Sequence, residues 1–242
     1  MENLNSVFSR PMPTPASLLE MAPITERQQA HLGKVYAHLA MGIVMTSLGA
    51  YVDAKVFGIP PIVSGIVCML LAMSILSSRE NKIDQGRLGK FFAFAFFKGM
   101  SIGAFMFQIV RIHPHILPTA FCATLAVFAC FSGVAIFAKQ RSYLYLGSML
   151  GSALMYMSFL SIFNMFFGFQ MAFDVVLYGT LAVFLGYVIF DTQVILEQEK
   201  QGDQDVLRHA LQLYIDVVAI FIRIVVILLK REEDKNRRKR RD

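Results

Sequence analysis

Two aspartates stand where carboxylates are expensive: Asp191 in GYVIFDTQVILE and Asp216 in ALQLYIDVVAIFIRIVVILL, each inside an otherwise apolar stretch. A charge in a segment that belongs in hydrocarbon costs at least a few kcal/mol, so its default reading is functional. Two carboxylates in contact cannot both ionise cheaply, and they share one proton. Loss of that proton forces them apart or demands a cation, which makes such a pair a proton switch or part of a polar path. Hard carboxylate oxygens in a flexible site suit Ca2+ better than a soft metal, so Asp191 and Asp216 are also candidate transient Ca2+ ligands.

The candidate countercharges are Lys98 and Arg223. With Glu197 and Arg208 taken as the inner edges of the last two segments, Asp191 lies about 9 Å deep and Asp216 about 12 Å deep at the rise of a helix. Lys98, eight residues after Lys90, comes out at roughly 12 Å by the same rule. Arg223 follows Asp216 by seven residues and projects from the same helix face. A purely structural alternative has Lys98 and Arg223 neutralising the two aspartates, with nothing permeating. Asp174 reads as a solvated edge residue.

The elements that must position these groups are membrane helices. The 242 residues are 56% hydrophobic and 17% charged, with mean hydropathy +0.55, which leaves too little polar surface for a soluble domain. Seven apolar segments run from Lys34 to Phe57, Ile59 to Ser77, Gly89 to Val110, Leu117 to Ala138, Ser142 to Phe163, Met171 to Leu196 and Arg208 to Leu229. Their lengths approach the roughly 20 residues that span a bilayer as helix, and they lack the alternation of barrel strands. The expected fold is an all-α membrane bundle in one domain, residues 34–229. Residues 1–33 form an N-terminal segment, with Pro-rich RPMPTPAS and capping-box spacing at Thr25 and Gln28 for a short interfacial helix. No apolar core of signal-peptide type occurs there, so no cleaved leader is expected. Residues 230–242 form a basic tail.

With the N-terminus cytoplasmic, Arg79, Lys82, Arg87, Lys90, Lys139, Arg141, Lys200 and Arg208 fall on the inner side, against only Lys55 and Arg111 outside. The tail breaks this pattern, because its eight Lys and Arg residues from Lys230 to Arg241 would lie outside if segment seven crossed fully. Either the positive-inside rule is overridden or this segment is re-entrant. Tyr143 and Tyr145 after Arg141 are candidate interface anchors. Gly99 with Gly103, and Gly147 with Gly151, have GxxxG spacing for close helix packing.

Other classes are disfavoured. His31, His38, His113, His115 and His209 show no metal-ligand motif, so neither catalysis nor a resident cofactor is expected. Cys68, Cys122 and Cys130 lie in apolar runs as packing residues. The sequence pI of 9.3 comes from charge flanking membrane spans and anchoring on anionic lipid, not from a nucleic-acid surface.

KVYAHLA, HILPTAFCAT, KQRSYLYLGSML, FDTQ, GDQD and LYIDVV, in that order, resemble the transmembrane Bax inhibitor motif family. The resemblance is collinear from about Lys34 to Leu229. It implies a seven-helix bundle whose last helix is central and surrounded by the other six. It also implies an endoplasmic-reticulum protein that suppresses cell death and lets Ca2+ leak in a pH-sensitive way. Asp191 in FDTQ and Asp216 in LYIDVV then occupy the positions of a proton-sharing latch, and Arg79 is the nearest candidate for an arginine that holds it. Bcl-2-family proteins and self-association are the partners the resemblance implies beside the lipid bilayer, Ca2+ and H+. Two other readings use the same residues differently: an H+/Ca2+ antiporter, or a non-conducting regulator acting through Bcl-2-family partners.

Overall fold

The computed structural model describes residues 24–77, 84–137 and 146–239. Within them the chain forms seven α-helices: α1 Glu26–Val52, α2 Pro61–Ser77, α3 Gln85–Ile112, α4 Ile116–Phe137, α5 Leu146–Phe167, α6 Gln170–Lys200 and α7 Val206–Lys239. All but α2 are long and apolar enough to cross a membrane, and α2 is a shorter apolar helix of 17 residues. The protein is an all-α, multi-pass membrane protein.

Local sequence explains the boundaries. Thr25 and Gln28 form a full capping box, each side chain satisfying a backbone N–H of the other. The helix it starts runs unbroken to Val52, so the expected interfacial helix is the first turns of α1 and no break falls at Lys34. A π-helical turn, Asp53–Phe57, follows and ends on Gly58. Proline stands first in α2, where its missing N–H costs nothing. Gly202, at φ 93°, lets the chain reverse between α6 and α7 in a conformation that other residues resist.

α7 is the axis of the bundle. Leu207, Ala210, Leu211, Leu213, Tyr214 and Ile220 are fully buried and spread over about half of the helix circumference, a wide buried face, while Ile215 on the other side is exposed. It packs against α1, α2, α3, α4 and α6. The expectation of six surrounding helices is corrected to five: α5 packs on α6 instead. α5 buries only Leu150, and its exposed Met155, Tyr156, Phe159 and Phe163 suit a lipid-facing helix.

The closest packing joins α1 to α3. A Cβ at Gly99 would stand 2.0 Å from the Thr46 carbonyl oxygen, and one at Gly49 would stand 2.0 Å from that of Phe96. The GxxxG pair Gly99 and Gly103 thus brings two backbones together.

α7 is continuous over 34 residues. It starts beside Arg87, which pairs with Asp205, and reaches Asp174 and His115 with Lys230 and Glu232. Those partners lie at opposite ends of the bundle, so the helix traverses it.

Candidate functional site: an aspartate pair between the last two helices

α6 and α7 run antiparallel around the Gly202 turn, so residues at similar distances from the turn meet. Asp191 and Asp216 do: their carboxyl groups are within hydrogen-bonding reach of one another. Asp216 is only 3% exposed. No N–H or hydroxyl donor reaches its buried Oδ2. A hydrogen bond between two carboxyl groups without another donor requires a proton on one of them. Tyr187, one turn before Asp191 on α6, is the other titratable group in electrostatic reach of both.

The candidate countercharges are elsewhere. Lys98 sits on α3 one residue from Gly99, a rotation of about 100° away from the face that meets α1. Its charge is felt at Cys68 on α2. Neither aspartate has Lys98 or Arg223 among the groups acting on it. Arg223 instead donates from Nε to Thr180 Oγ1 and from Nη1 to the Ala219 carbonyl, both at 2.8 Å, and its guanidinium lies 4.4 Å from the Phe184 ring centroid. Arg79 lies outside the described residues. Asp174, expected as a solvated edge residue, is paired with Lys230.

The rest of both motifs serves to hold the pair. Thr192 and Gln193 of FDTQ are fully buried. Thr192 meets Ser132 on α4 at 3.4 Å, Ser132 bonds Tyr36 on α1, and Gln193 donates to the Ala135 carbonyl at 3.4 Å. On α7, Tyr214 bonds Thr46 of α1, two residues before Asp216. In GDQD, Asp205 caps α7 by accepting the Arg208 N–H at 3.2 Å and takes Arg87 Nη2 at 2.7 Å on its other oxygen.

A third cluster was not foreseen. His31 Nε2 and His209 Nδ1 are 2.9 Å apart, and His209 Nε2 is 2.9 Å from Gln198 Oε1. His209 therefore donates to Gln198 and accepts from His31, which fixes its tautomer. Glu199, in electrostatic reach of His31, pairs with Arg27 at 3.0 Å. By contrast His38 bonds its own helix at the Lys34 carbonyl. The signal for the buried pair was periodicity: His209 shares a face with Leu213 and Asp216, at four and seven residues' spacing.

With this geometry in hand, the comparisons with known proteins are informative. The family model described as "Inhibitor of apoptosis-promoting Bax1" matches residues 28–233. The human protein named Bax inhibitor 1 is 37% identical over 228 residues, covering 93% of this chain and 95% of its own length. The Arabidopsis thaliana protein of the same name is 37% identical, covering 90% of this chain and 88% of its own length. The chain belongs to the Bax inhibitor 1 family. The match takes in both aspartates, the GDQD turn and all seven helices apart from the ends of α1 and α7.

As a member of that family, the chain offers a cation little more than the two carboxylates and the Tyr187 hydroxyl at this point. Ca2+ takes six to eight oxygens when held tightly. Among the described residues no cluster of three or more His, Cys, Asp or Glu side chains is placed to hold a metal. Two carboxylates and a phenol hydroxyl fall short of that number.

Proposed function

We propose that this protein is an endoplasmic-reticulum membrane protein that opposes cell death by providing a pH-sensitive, passive leak for Ca2+, with Asp191 and Asp216 as its proton latch. The observation that carries the reading is the carboxyl–carboxyl contact on the buried face of the central helix. The protonated pair is a single hydrogen bond between α6 and α7 and closes the path. Removal of the proton leaves two negative charges with no fixed cation beside them, so the helices separate or a Ca2+ ion enters between them. The anti-apoptotic role rests on the names of the relatives and of the matching family.

The test is Ca2+ flux from proteoliposomes across a pH series, for wild type, Asp191→Asn and Asp216→Asn. Either substitution keeps a hydrogen bond but removes the shared proton, and the pH response flattens. An unaltered response in both variants sinks the latch. An imposed proton gradient that drives Ca2+ uphill converts the leak into an H+/Ca2+ exchanger using the same carboxylates. Preserved death suppression in the double asparagine variant, without flux, points instead to a regulator acting through Bcl-2-family partners.

A further inference from the structure

Arg223 is the unexplained charge. It lies on α7 seven residues beyond Asp216, about two turns and some 10 Å further along the helix. Its two hydrogen bonds, to Thr180 and Ala219, occupy two of the five guanidinium N–H groups. Among the described residues no carboxylate pairs with it. Charges within membrane segments pair or face a cavity, and Arg223 faces one.

That cavity, of about 250 Å3, lies where α5 stands off from α7. Its polar lining is Arg223 and Thr180 with Ser161 and Asn164 of α5, and its apolar walls include Phe173 and Ile222. Thr180 donates its own hydroxyl proton to its helix, so towards the guanidinium its oxygen acts as acceptor. Asn164 is different: its side-chain Oδ1 is buried and has no hydrogen-bond partner. The cavity is therefore lined by a cation with spare donors and by an asparagine whose Oδ1, turned away from the space, has no donor. Asn164 is three residues from the end of α5 and Phe173 three residues after the start of α6. The cavity thus begins at the end of the bundle that carries the α5–α6 turn and reaches down to Thr180. Its surroundings are made for hydrocarbon, since Phe163, Phe166 and Phe173 are exposed.

We propose that this cavity is a headgroup site for an anionic phospholipid whose headgroup also carries hydroxyls. The phosphate oxygens accept the remaining N–H groups of Arg223, the Asn164 side chain turns into the cavity so that a headgroup hydroxyl donates to its Oδ1, and the acyl chains cover the exposed phenylalanines. The charge complement selects an anion, and the apolar approach selects one that brings its own tails. The site is separate from the aspartate latch and stands or falls independently of conduction.

The experiment uses the full chain in phosphatidylcholine nanodiscs, with or without phosphatidylinositol, and reads thermal stability together with phosphatidylinositol retained per protein. Phosphatidylinositol stabilises wild type by mass action. Arg223→Gln weakens retention roughly tenfold, the loss of a charge-assisted hydrogen bond. Asn164→Leu, which leaves the Arg223–Thr180 bond in place, weakens it less and keeps the proposal testable if Arg223→Gln fails to fold. Lys98→Gln, a loss of charge on another face, leaves retention unchanged. Equal retention in wild type, Arg223→Gln and Asn164→Leu overturns the proposal. So does equal stabilisation by inorganic phosphate, which would mark a site for a free anion. A cross-linked dimer through Phe163 and Phe173 that excludes the lipid overturns it as well, because a second copy would then be the occupant.

Discussion

Adding one methyl group at Gly99 and the same methyl group at Gly89, ten residues earlier in α3, should move stability in opposite directions. At Gly89 a Cβ meets nothing within 4 Å, so alanine gains only its helix propensity, about 0.5–1 kcal/mol. At Gly99 it meets the Thr46 carbonyl oxygen at 2.0 Å, and ordinary contact begins at 3.4 Å. The neighbour is backbone, so α1 must retreat by roughly 1.4 Å as a body. A gap of that order forfeits half or more of each dispersion contact it opens, at about 0.1–0.2 kcal/mol apiece. Overpacking of this kind costs about 1–3 kcal/mol, and a backbone clash belongs at the top of that range. Allowing for the propensity gain, Gly99→Ala loses about 2 kcal/mol net. The displaced residue matters for function, because Thr46 holds Tyr214 two residues before Asp216. Thermal unfolding of the purified protein, with Cys122 and Cys130 replaced by serine so that buried Cys68 alone reports through a thiol dye, gives the comparison. Shifts of the same sign at Gly89 and Gly99 would refute the backbone-contact account of the α1–α3 interface.

Asp205 performs two tasks, and substitutions separate them. Asparagine keeps the α7 cap but loses the charge that pairs with Arg87, whereas alanine loses both, so Asp205→Ala should unfold more easily than Asp205→Asn by about 1 kcal/mol. Equal stabilities in thermal melts would remove the capping role. Lys98→Ala should leave the pH dependence of Ca2+ flux at its wild-type midpoint, since Lys98 is not among the groups acting on either aspartate; a displaced midpoint would mean that it reaches the aspartates. His209→Phe fills the same space but strands His31 Nε2 and Gln198 Oε1, and should cost about 1–3 kcal/mol in the same melts.

The sequence carried the membrane class and the long apolar helices, and it singled out Asp191 and Asp216, because long apolar runs and a charge within them are local facts. The shared depth of the two aspartates was also legible, as helix rise is the same in every helix. Depth alone, however, placed Lys98 with them. A residue's height follows from counting, while its bearing around the axis depends on which face meets which neighbour, and α3 is oriented by Gly99 and Gly103 against α1. That choice turns Lys98 aside by about one residue's rotation. Arg87 was hidden for a related reason. Counted among inner-loop charges, it is only 4% exposed and is held by an aspartate 118 residues away, a pairing no local pattern encodes. Arg223 kept its predicted face but not its predicted partner: Thr180 and Phe184 take the guanidinium on the α6 side, two turns from Asp216. The proposed latch is consequently a pair of carboxyl groups without a built-in cation. A proton or a mobile cation must neutralise it, so its state depends on what the solution supplies.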